Sequence, residues 1–289
     1  MSFQVTTAFV QQYTTNVQLL LQQRGSKLRD AVTVGPYTGK AAKSVEQIGA
    51  VTAQKRLTRH GDTPMISTPH AARWVFPTDY EWADLIDDQD KLRMLIDPTS
   101  PYAQNGSLAL GRAIDDEIIL GAFGVNKTGE NGADNTSFLG SNVIAASGTG
   151  LTIGKLRAAR LRLARAEVDI GNEDLFFAAS AQNLDNLLGT TEVTSADYNT
   201  VKALVKGEVD SFMGFKFIQI ERLPLQNTNE RRCLAWARTG LHLGIWNDIT
   251  TRISERDDKS YSTQVYVKGT FGATRVEEAK VVEVDCVEA

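Results

Sequence analysis

The longest helical pattern in the sequence is Ser100-Pro-Tyr-Ala-Gln-Asn-Gly-Ser-Leu-Ala-Leu-Gly-Arg-Ala-Ile-Asp-Asp-Glu-Ile-Ile-Leu-Gly-Ala-Phe123. Ser100 is a typical N-cap residue, and Pro101 suits the first helical position because the N–H that it lacks would have no partner there. Leu110, Ile114 and Ile118 follow at four-residue steps, which places them on one face. The stretch therefore predicts a long helix ending at about residue 123 that buries one side.

The chain before this helix carries the pattern of a long β-hairpin. Two strand-like runs, 48–57 and 71–76, flank a turn-rich middle that contains His60-Gly-Asp-Thr-Pro64. The hairpin has few apolar residues, and an isolated two-stranded ribbon is only marginally stable in water. It therefore needs a surface to lie on, and another subunit would supply one.

Two further segments before the long helix have helical spacing. Trp82, Leu85 and Ile86 recur at helical steps within residues 78–96, which predicts a helix or two short helical turns that end before Asp97-Pro98. Residues 7–21 form a thin amphipathic pattern, too weak to be stable alone. They predict an arm that lies on another part of the assembly.

The segment after the long helix indicates a second folding unit. Residues 124–150 are rich in Asn, Gly, Ser and Thr, which is typical of a linker or exposed loop and predicts a domain boundary. Beyond it, caps and apolar runs predict an alternation of helices and strands, that is, a compact α/β unit. The predicted elements are a helix capped by Thr152 and ending near 167, a strand at 174–179, a helix from Ser180 to Gly189, and a strand at 215–220.

The last part of the sequence has an extended pattern. Apolar residues alternate from Tyr261 through Val265 and Val267, and again through Val282, Val284 and Cys286. The end of the chain is therefore predicted to be tied into a sheet.

Composition and charge exclude several classes of protein. The chain has 289 residues, 31 basic against 35 acidic side chains, a net charge of −4 and two cysteines. The mildly acidic balance disfavours a sequence-reading nucleic-acid binder, and two cysteines without a CxxC motif give neither a disulfide scaffold nor a zinc ribbon. Because no basic start followed by an apolar run and no apolar stretch of membrane length occurs, we expect a soluble cytosolic protein with no membrane contact.

The sequence shows no motif that carries catalysis or holds a cofactor. The phosphate-binding glycine loop, the nucleophile elbow of hydrolases and the zinc-protease motif are all missing. His60-Gly-Asp62 could pair an acid and a base, but a hairpin turn explains it better. An EF-hand beginning at Asp88 would place Leu92 and Arg93 where a ligand and a glycine are needed. We therefore predict no enzyme, no metal and no cofactor, and interpret the acidic run 79–90 as a solvated or partner-facing surface.

Several stretches, spread in order over nearly the whole chain, resemble the major capsid proteins of tailed bacteriophages, which have the HK97-like fold. They are Phe9-Val-Gln-Gln-Tyr13, Leu19-Leu-Leu-Gln-Gln-Arg-Gly-Ser-Lys-Leu-Arg29, Arg59-His-Gly-Asp-Thr-Pro64, Asp79-Tyr-Glu-Trp-Ala-Asp-Leu-Ile-Asp-Asp88, Leu95-Ile-Asp-Pro-Thr-Ser-Pro-Tyr102, Gly272-Ala-Thr-Arg-Val276 and Lys280-Val-Val-Glu-Val284.

The resemblance implies an α+β fold with four parts. Residues 1–44 resemble the N-arm, and 45–78 the extended hairpin called the E-loop. Residues 79–150 together with 245–289 resemble the P-domain with its long spine helix, and 151–244 the α/β A-domain.

The resemblance also implies a function: pentamers and hexamers that form the icosahedral head shell around the phage double-stranded DNA. It implies assembly in the host bacterial cytoplasm, residence in the virion, a portal protein at one vertex, a separate scaffolding protein or none, a possible decoration protein, and non-specific contact with packaged DNA. Two alternatives remain open, namely a shell protein of an encapsulin-like nanocompartment and, more distantly, a small α/β enzyme with an unrecognised site.

The implied mechanism is assembly through contacts between subunits. Arg56 and Arg59 of the hairpin are predicted partners for Asp84, Asp87 and Asp88 of a neighbour. One exposed ion pair contributes only about 0–1 kcal/mol, so stability must come from repetition around a closed shell. The further candidate interface residues are His60, Asp62 and Trp74, the last because a tryptophan in an unsupported hairpin is a plausible anchor.

Overall fold

The computed structural model describes residues 22–55, 59, 65–87, 99–189 and 211–288. The strands in this part of the chain are β1 (Thr33–Pro36), β2 (Ala42–Ile48), β3 (His70–Val75), β4 (Thr78–Ile86), β5 (Asn126–Thr128), β6 (Asp134–Thr136), β7 (Val143–Ile144), β8 (Leu175–Ala179), β9 (Ser211–Phe212), β10 (Phe215–Gln219), β11 (Leu225–Asn227), β12 (Glu230–Ala237), β13 (Leu241–Arg256), β14 (Ser262–Arg275) and β15 (Val281–Val287). The helices are α1 (Thr99–Phe123), α2 (Ile153–Arg165) and α3 (Ala181–Leu188).

The long sheet has the strand order β1-β13-β14-β4 and carries α1 on one face. The two lie close because Gly106 of α1 has no side chain: a Cβ there would come within 2.6 Å of both Trp82 and Val267. Ile114 and Ile118 are buried, as the helical pattern predicts. The long helix is thus confirmed, beginning one residue before Ser100.

The strand β4 corrects the prediction of a helix at 78–96. It pairs antiparallel with β14 from Thr78 opposite Phe271 to Ile86 opposite Thr263. The stretch has two periodicities, because Tyr80 and Trp82 also alternate with the exposed Asp79 and Glu81. Pairing with a strand about 180 residues away selects the extended form; residues 88–96 lie outside the described residues.

The central sheet has the order β7-β15-β12-β8-β10-β9, with β11 on β12. All of β8 is buried, and α2 packs on β15, β12 and β7 through residues that include Leu156 and Leu163. Thr152 and Ser180 cap α2 and α3 with their side-chain oxygens, so these predicted elements are confirmed. The end of the chain lies in a sheet as expected, and that sheet is the one built by residues 143–237.

The hairpin sheet has the order β2-β3-β5-β6. The hairpin itself is present, with Ala42 opposite Val75 and Ile48 opposite His70, but its first strand ends at Ile48, where the sequence predicted a start. The prediction of a loop over 124–150 is also wrong, because this segment supplies β5, β6 and β7. Its polar strand β5 pairs with β3 and its short apolar strand β7 pairs with β15, and the composition of the whole segment does not reveal this backbone pairing.

Candidate functional site

The hairpin extends beyond its paired base without a strand partner. Residues 49–55 and 65–69 are in no strand or helix, and nearly all of them are exposed. The exposed apolar side chains in and beside these runs include Ile48 (70% exposed), Val51 (51%) and Met65 (99%). Since exposed apolar area is unfavourable in water, this extension is the candidate docking element of the chain.

The base of the hairpin is fixed to the end of β14. The carbonyl oxygen of Val276 accepts hydrogen bonds from Arg73 Nε at 2.8 Å and from Gln47 Nε2 at 2.7 Å. Arg73 also lies 3.6 Å from Glu278, and both side chains are largely buried. The direction in which the extension leaves the body of the subunit is therefore set by side chains from both strands.

Arg275 anchors the same junction from inside. Its guanidinium is fully buried, pairs with Glu278 and donates to the carbonyl oxygen of Ala122 at 2.5 Å, which closes the C-terminal end of α1. Burial lowers the pKa of this group from its ordinary value. The cation remains charged because its donors meet a carboxylate and helix-end carbonyls.

The predicted interface residues fall on separate elements. Arg59 and Asp87 are exposed, while Asp84 is half-buried on β4 opposite Val265. Trp74 lies inside its own chain: its Nε1 donates to the carbonyl of Gly129 at 2.8 Å and its ring faces Gly132. The other candidates, Arg56, His60, Asp62 and Asp88, lie outside the described residues.

A second site, which sequence reasoning missed, is the attachment of residues 23–28 to α1. Asp115, fully buried on α1, accepts hydrogen bonds from the backbone nitrogens of Lys27 (3.0 and 3.1 Å) and Leu28 (3.0 Å) and from Ser26 Oγ (2.5 Å). The Nε2 of Gln23 donates to the same carboxylate. The sequence held one signal: Asp115 directly follows Ile114, which the helical pattern places on the buried face.

The adjoining residues continue this attachment, with contacts to the long sheet and to the central sheet. Arg29 forms a bidentate pair with Asp248 at 2.8 and 3.1 Å, which raises the pKa of the arginine and lowers that of the aspartate. Trp236 Nε1 donates to the carbonyl of Ala31 at 2.9 Å. Residues 22–36 are therefore part of the folded subunit.

A buried histidine secures β1. His242 Nδ1 lies 3.0 Å from Thr33 Oγ1, and Nε2 lies 2.8 Å from the hydroxyl of Tyr37. Thr33 Oγ1 donates to the carbonyl of Leu241, so it accepts from Nδ1–H, and Nε2 accepts from Tyr37. Burial lowers the pKa of His242, which favours this neutral form. These hydrogen bonds hold β1 against β13, and the imidazole of His242 is buried, away from solvent.

Two features of other protein classes, a metal site and a membrane-spanning helix, are absent from the described residues. Within them, no group of three or more His, Cys, Asp or Glu side chains is placed to hold a metal ion. None of the described helices is both long and apolar enough to cross a membrane. The contacts above are those of a folded body that carries a hairpin extension.

The comparison with protein families decides the assignment. Residues 5–288 match the family described as phage capsid protein. The chain belongs to this family. Among curated proteins, none matches the sequence.

Solved structures agree with the capsid protein assignment. The capsid of cyanophage P-SCSP1u superposes with a TM-score of 0.72 at 18% identity, over 97% of this chain and 94% of that one. A structure from Mycobacterium phage Che8 gives 0.72 at 14% identity, over 96% and 97%. The capsid of cyanophage Pam1 gives 0.69 at 13% identity, over 99% of both chains.

The capsid protein therefore has the α+β, HK97-like fold that the resemblance implied, and its role is to form the shell of the virion. This role is structural, since the family is defined by a shell and not by a reaction. The family match favours a phage capsid protein over the nanocompartment shell and the enzyme that the sequence left open.

Proposed function

We propose that this capsid protein assembles into pentamers and hexamers that form the icosahedral head shell around double-stranded DNA, and that the hairpin extension of each subunit lies on the next. The exposed Ile48, Val51 and Met65 support this, since the single chain leaves them without apolar partners in its described part. Repeating a modest contact around a closed shell gives a stable particle.

The proposed division of labour follows four segments: an arm at 1–44, the hairpin at 45–78, a peripheral part at 79–150 with 245–289, and an axial part at 151–244. Two observations bear on these limits. Strand β13 begins at Leu241, before the limit at 244, and β15 pairs with β12 of the axial part. The peripheral part would then contribute its last strand to the axial sheet.

The proposed contact is electrostatic as well as apolar. Arg59 and the neighbouring Arg56 of one subunit would face Asp84, Asp87 and Asp88 of the next. The support is the opposite charge of the two segments, of which the described Arg59 and Asp87 are exposed. We further propose a portal protein at one vertex, assembly in the host bacterial cytoplasm with or without separate scaffolding and decoration proteins, and packaged DNA held by non-specific contact.

The test is electron microscopy with light scattering on the purified protein, expressed alone and with a scaffold. Shells, hexamers or pentamers support the proposal, while a monomer or dimer that never assembles overturns it. Arg59→Glu is expected to lower the yield of shells, and thermal unfolding of the subunit is measured beside it to separate assembly from folding. Lys40→Glu, an equal charge reversal at an exposed site outside the hairpin extension, is the matched control.

A further inference from the structure

The strand β4 is an edge strand. It ends the order β1-β13-β14-β4, and no described strand pairs with its outer side. The outer side of this nine-residue strand, about 30 Å long, therefore presents backbone N–H and C=O groups to no described strand, although the N–H of Leu85 donates to Asp84 Oδ1 at 2.9 Å. Such an edge is a template for another strand, because added backbone hydrogen bonds satisfy these groups.

The charge of β4 selects its partner. Residues 78–87 carry four carboxylates, those of Asp79, Glu81, Asp84 and Asp87, and no basic side chain. Asp79 and Glu81 lie on the sheet face away from α1, where they accept hydrogen bonds from Thr270 at 2.6 Å and Tyr266 at 2.9 Å. Hydroxyl donors leave the negative charge in place, so the edge attracts a cationic strand.

The hairpin extension has the complementary properties. Residues 49–59 carry three basic side chains and no acidic one. Within them, the described run 49–55 is exposed and in no strand or helix, and it includes Lys55 and Val51. Its backbone groups need hydrogen-bond partners, and the edge of β4 needs a strand.

We propose that residues 49–55 of one subunit add as a further strand to the outer edge of β4 in a second copy of this chain. The inference rests on the proposed function, because it requires neighbouring subunits. It goes further by specifying backbone pairing, with alternate side chains on opposite faces, where a contact between charges alone would impose no alternation.

The other edge of the long sheet provides the contrast. Beyond Ile245, where pairing with β1 ends, the outer side of β13 also has no partner among the described strands, while its inner side pairs with β14. Its charges are balanced, with Asp248 bound to Arg29 and Arg256 bound to Asp258. It offers backbone groups but no net attraction for the basic run.

The alternation of side chains gives the test. Ala83 is exposed on the face of β4 away from α1, and Ala83→Cys is combined in turn with cysteine at positions 50, 51, 52 and 53. Assembled shells are oxidised with copper–phenanthroline and run on non-reducing gels. We expect cross-linked ladders from one pair of alternate positions only, 50 and 52 or 51 and 53. The parent chain, whose Cys233 and Cys286 are buried, gives no ladder.

A matched series places the acceptor cysteine at Thr250 on β13, and no ladder is expected from it. Shells that form but cross-link equally at neighbouring positions, only through position 250, or not at all overturn the strand addition and leave the proposed shell intact. Failure of the parent chain to assemble, with or without a scaffold, overturns both. The cysteine positions are exposed, so the variants should fold like the parent chain, and an unchanged circular dichroism spectrum checks this.

Discussion

The carboxylate of Asp115 on α1 lies 3.0 Å from the backbone nitrogen of Leu28 and accepts a hydrogen bond from it, although 87 residues separate the two. Both residues are fully buried. The aspartate acts as the acceptor that a strand or helix would otherwise provide, because residues 23–28 have no regular backbone partner. One side chain thus attaches an irregular segment to the longest helix.

Replacing this carboxylate should loosen the segment. Asp115→Ala leaves the N–H groups of Lys27 and Leu28 without an acceptor, and a buried unsatisfied group costs about 1–3 kcal/mol. We expect the free energy of unfolding to fall by about 3 kcal/mol in urea titrations and proteolysis to begin near Arg24. Asp116→Ala, which removes an exposed pair with Arg222, should cost no more than about 1 kcal/mol. Equal losses in the two variants would contradict this account.

The same contact requires a glycine. A Cβ at Gly111 would lie 2.7 Å from the Cα of Gly25 and 3.0 Å from the nitrogen of Ser26, and backbone atoms cannot move aside as a side chain can. Gly111→Ala should therefore destabilise the subunit by about 1–3 kcal/mol, despite the higher helix propensity of alanine.

Gly154→Ala, in α2, is the matched substitution, since the nearest atom to its Cβ is Thr152 Oγ1 at 3.8 Å. It should be neutral or stabilising by less than about 1 kcal/mol. Thermal melts of both variants give the comparison, and a neutral Gly111→Ala would show that the segment has room to shift.

A buried acidic pair predicts a pH dependence. Asp285 is opposite Arg232 in the register of β15 and β12, but Arg232 is bound to Glu283, and burial followed by the nearby Glu283 raises the pKa of Asp285 to about 6. Between about pH 4 and pH 6 the folded protein keeps a proton that the unfolded chain has released. Stability therefore falls as the pH rises through this window, by an amount on the order of 3 kcal/mol.

Asp285→Asn removes the titrating group, so the variant should be more stable than the parent at pH 7.5 and similar to it near pH 4. Urea midpoints at the two pH values measure the difference. Asp30→Asn, at an exposed site, should leave the profile unchanged. A variant that is less stable at pH 7.5 would mean that the charge of Asp285 is needed.

Removing the buried ammonium of Lys155 should destabilise the protein, whereas removing the charge of Asp285 should stabilise it. It donates to the carbonyls of Thr149 (2.7 Å), Gly150 (3.0 Å) and Asp285 (2.9 Å), while burial lowers its pKa. Lys155→Met should cost about 2–4 kcal/mol in the free energy of unfolding, because three carbonyls lose their donor. Arg157→Met, two residues further along α2 and exposed, should cost less than about 0.5 kcal/mol. Comparable midpoints in guanidinium chloride would contradict the anchoring role.

Local signals in the sequence were sufficient where a single segment decides its own structure. The caps at Thr152 and Ser180 and the apolar run of β8 predicted their elements correctly, since a helix start or a buried strand depends on nearby residues. The stretch 78–86 was predicted wrongly because Trp82 and Ile86 share a face both in a helix and in a strand, and only the pairing with β14 decides between the two.

The site was harder to predict for a related reason. The hairpin was recognised from two strand-like runs around a turn-rich middle, and its need for a surface from its low apolar content. The role of Asp115 depends on a segment 87 residues away, and the Arg73 junction depends on Val276 at a separation of 203. Such contacts leave no periodic trace, so the sequence indicated that the extension needs a surface without indicating what holds its base.

The pairing of β1 with β13 has a consequence for the order of folding. Thr33 lies opposite His242, and closing a flexible loop of about 200 residues costs about 5 kcal/mol in entropy. The cost is smaller once the intervening chain has folded, so β1 should dock late, and such non-local pairing slows folding. A docked β1 therefore marks a subunit whose long sheet has already formed.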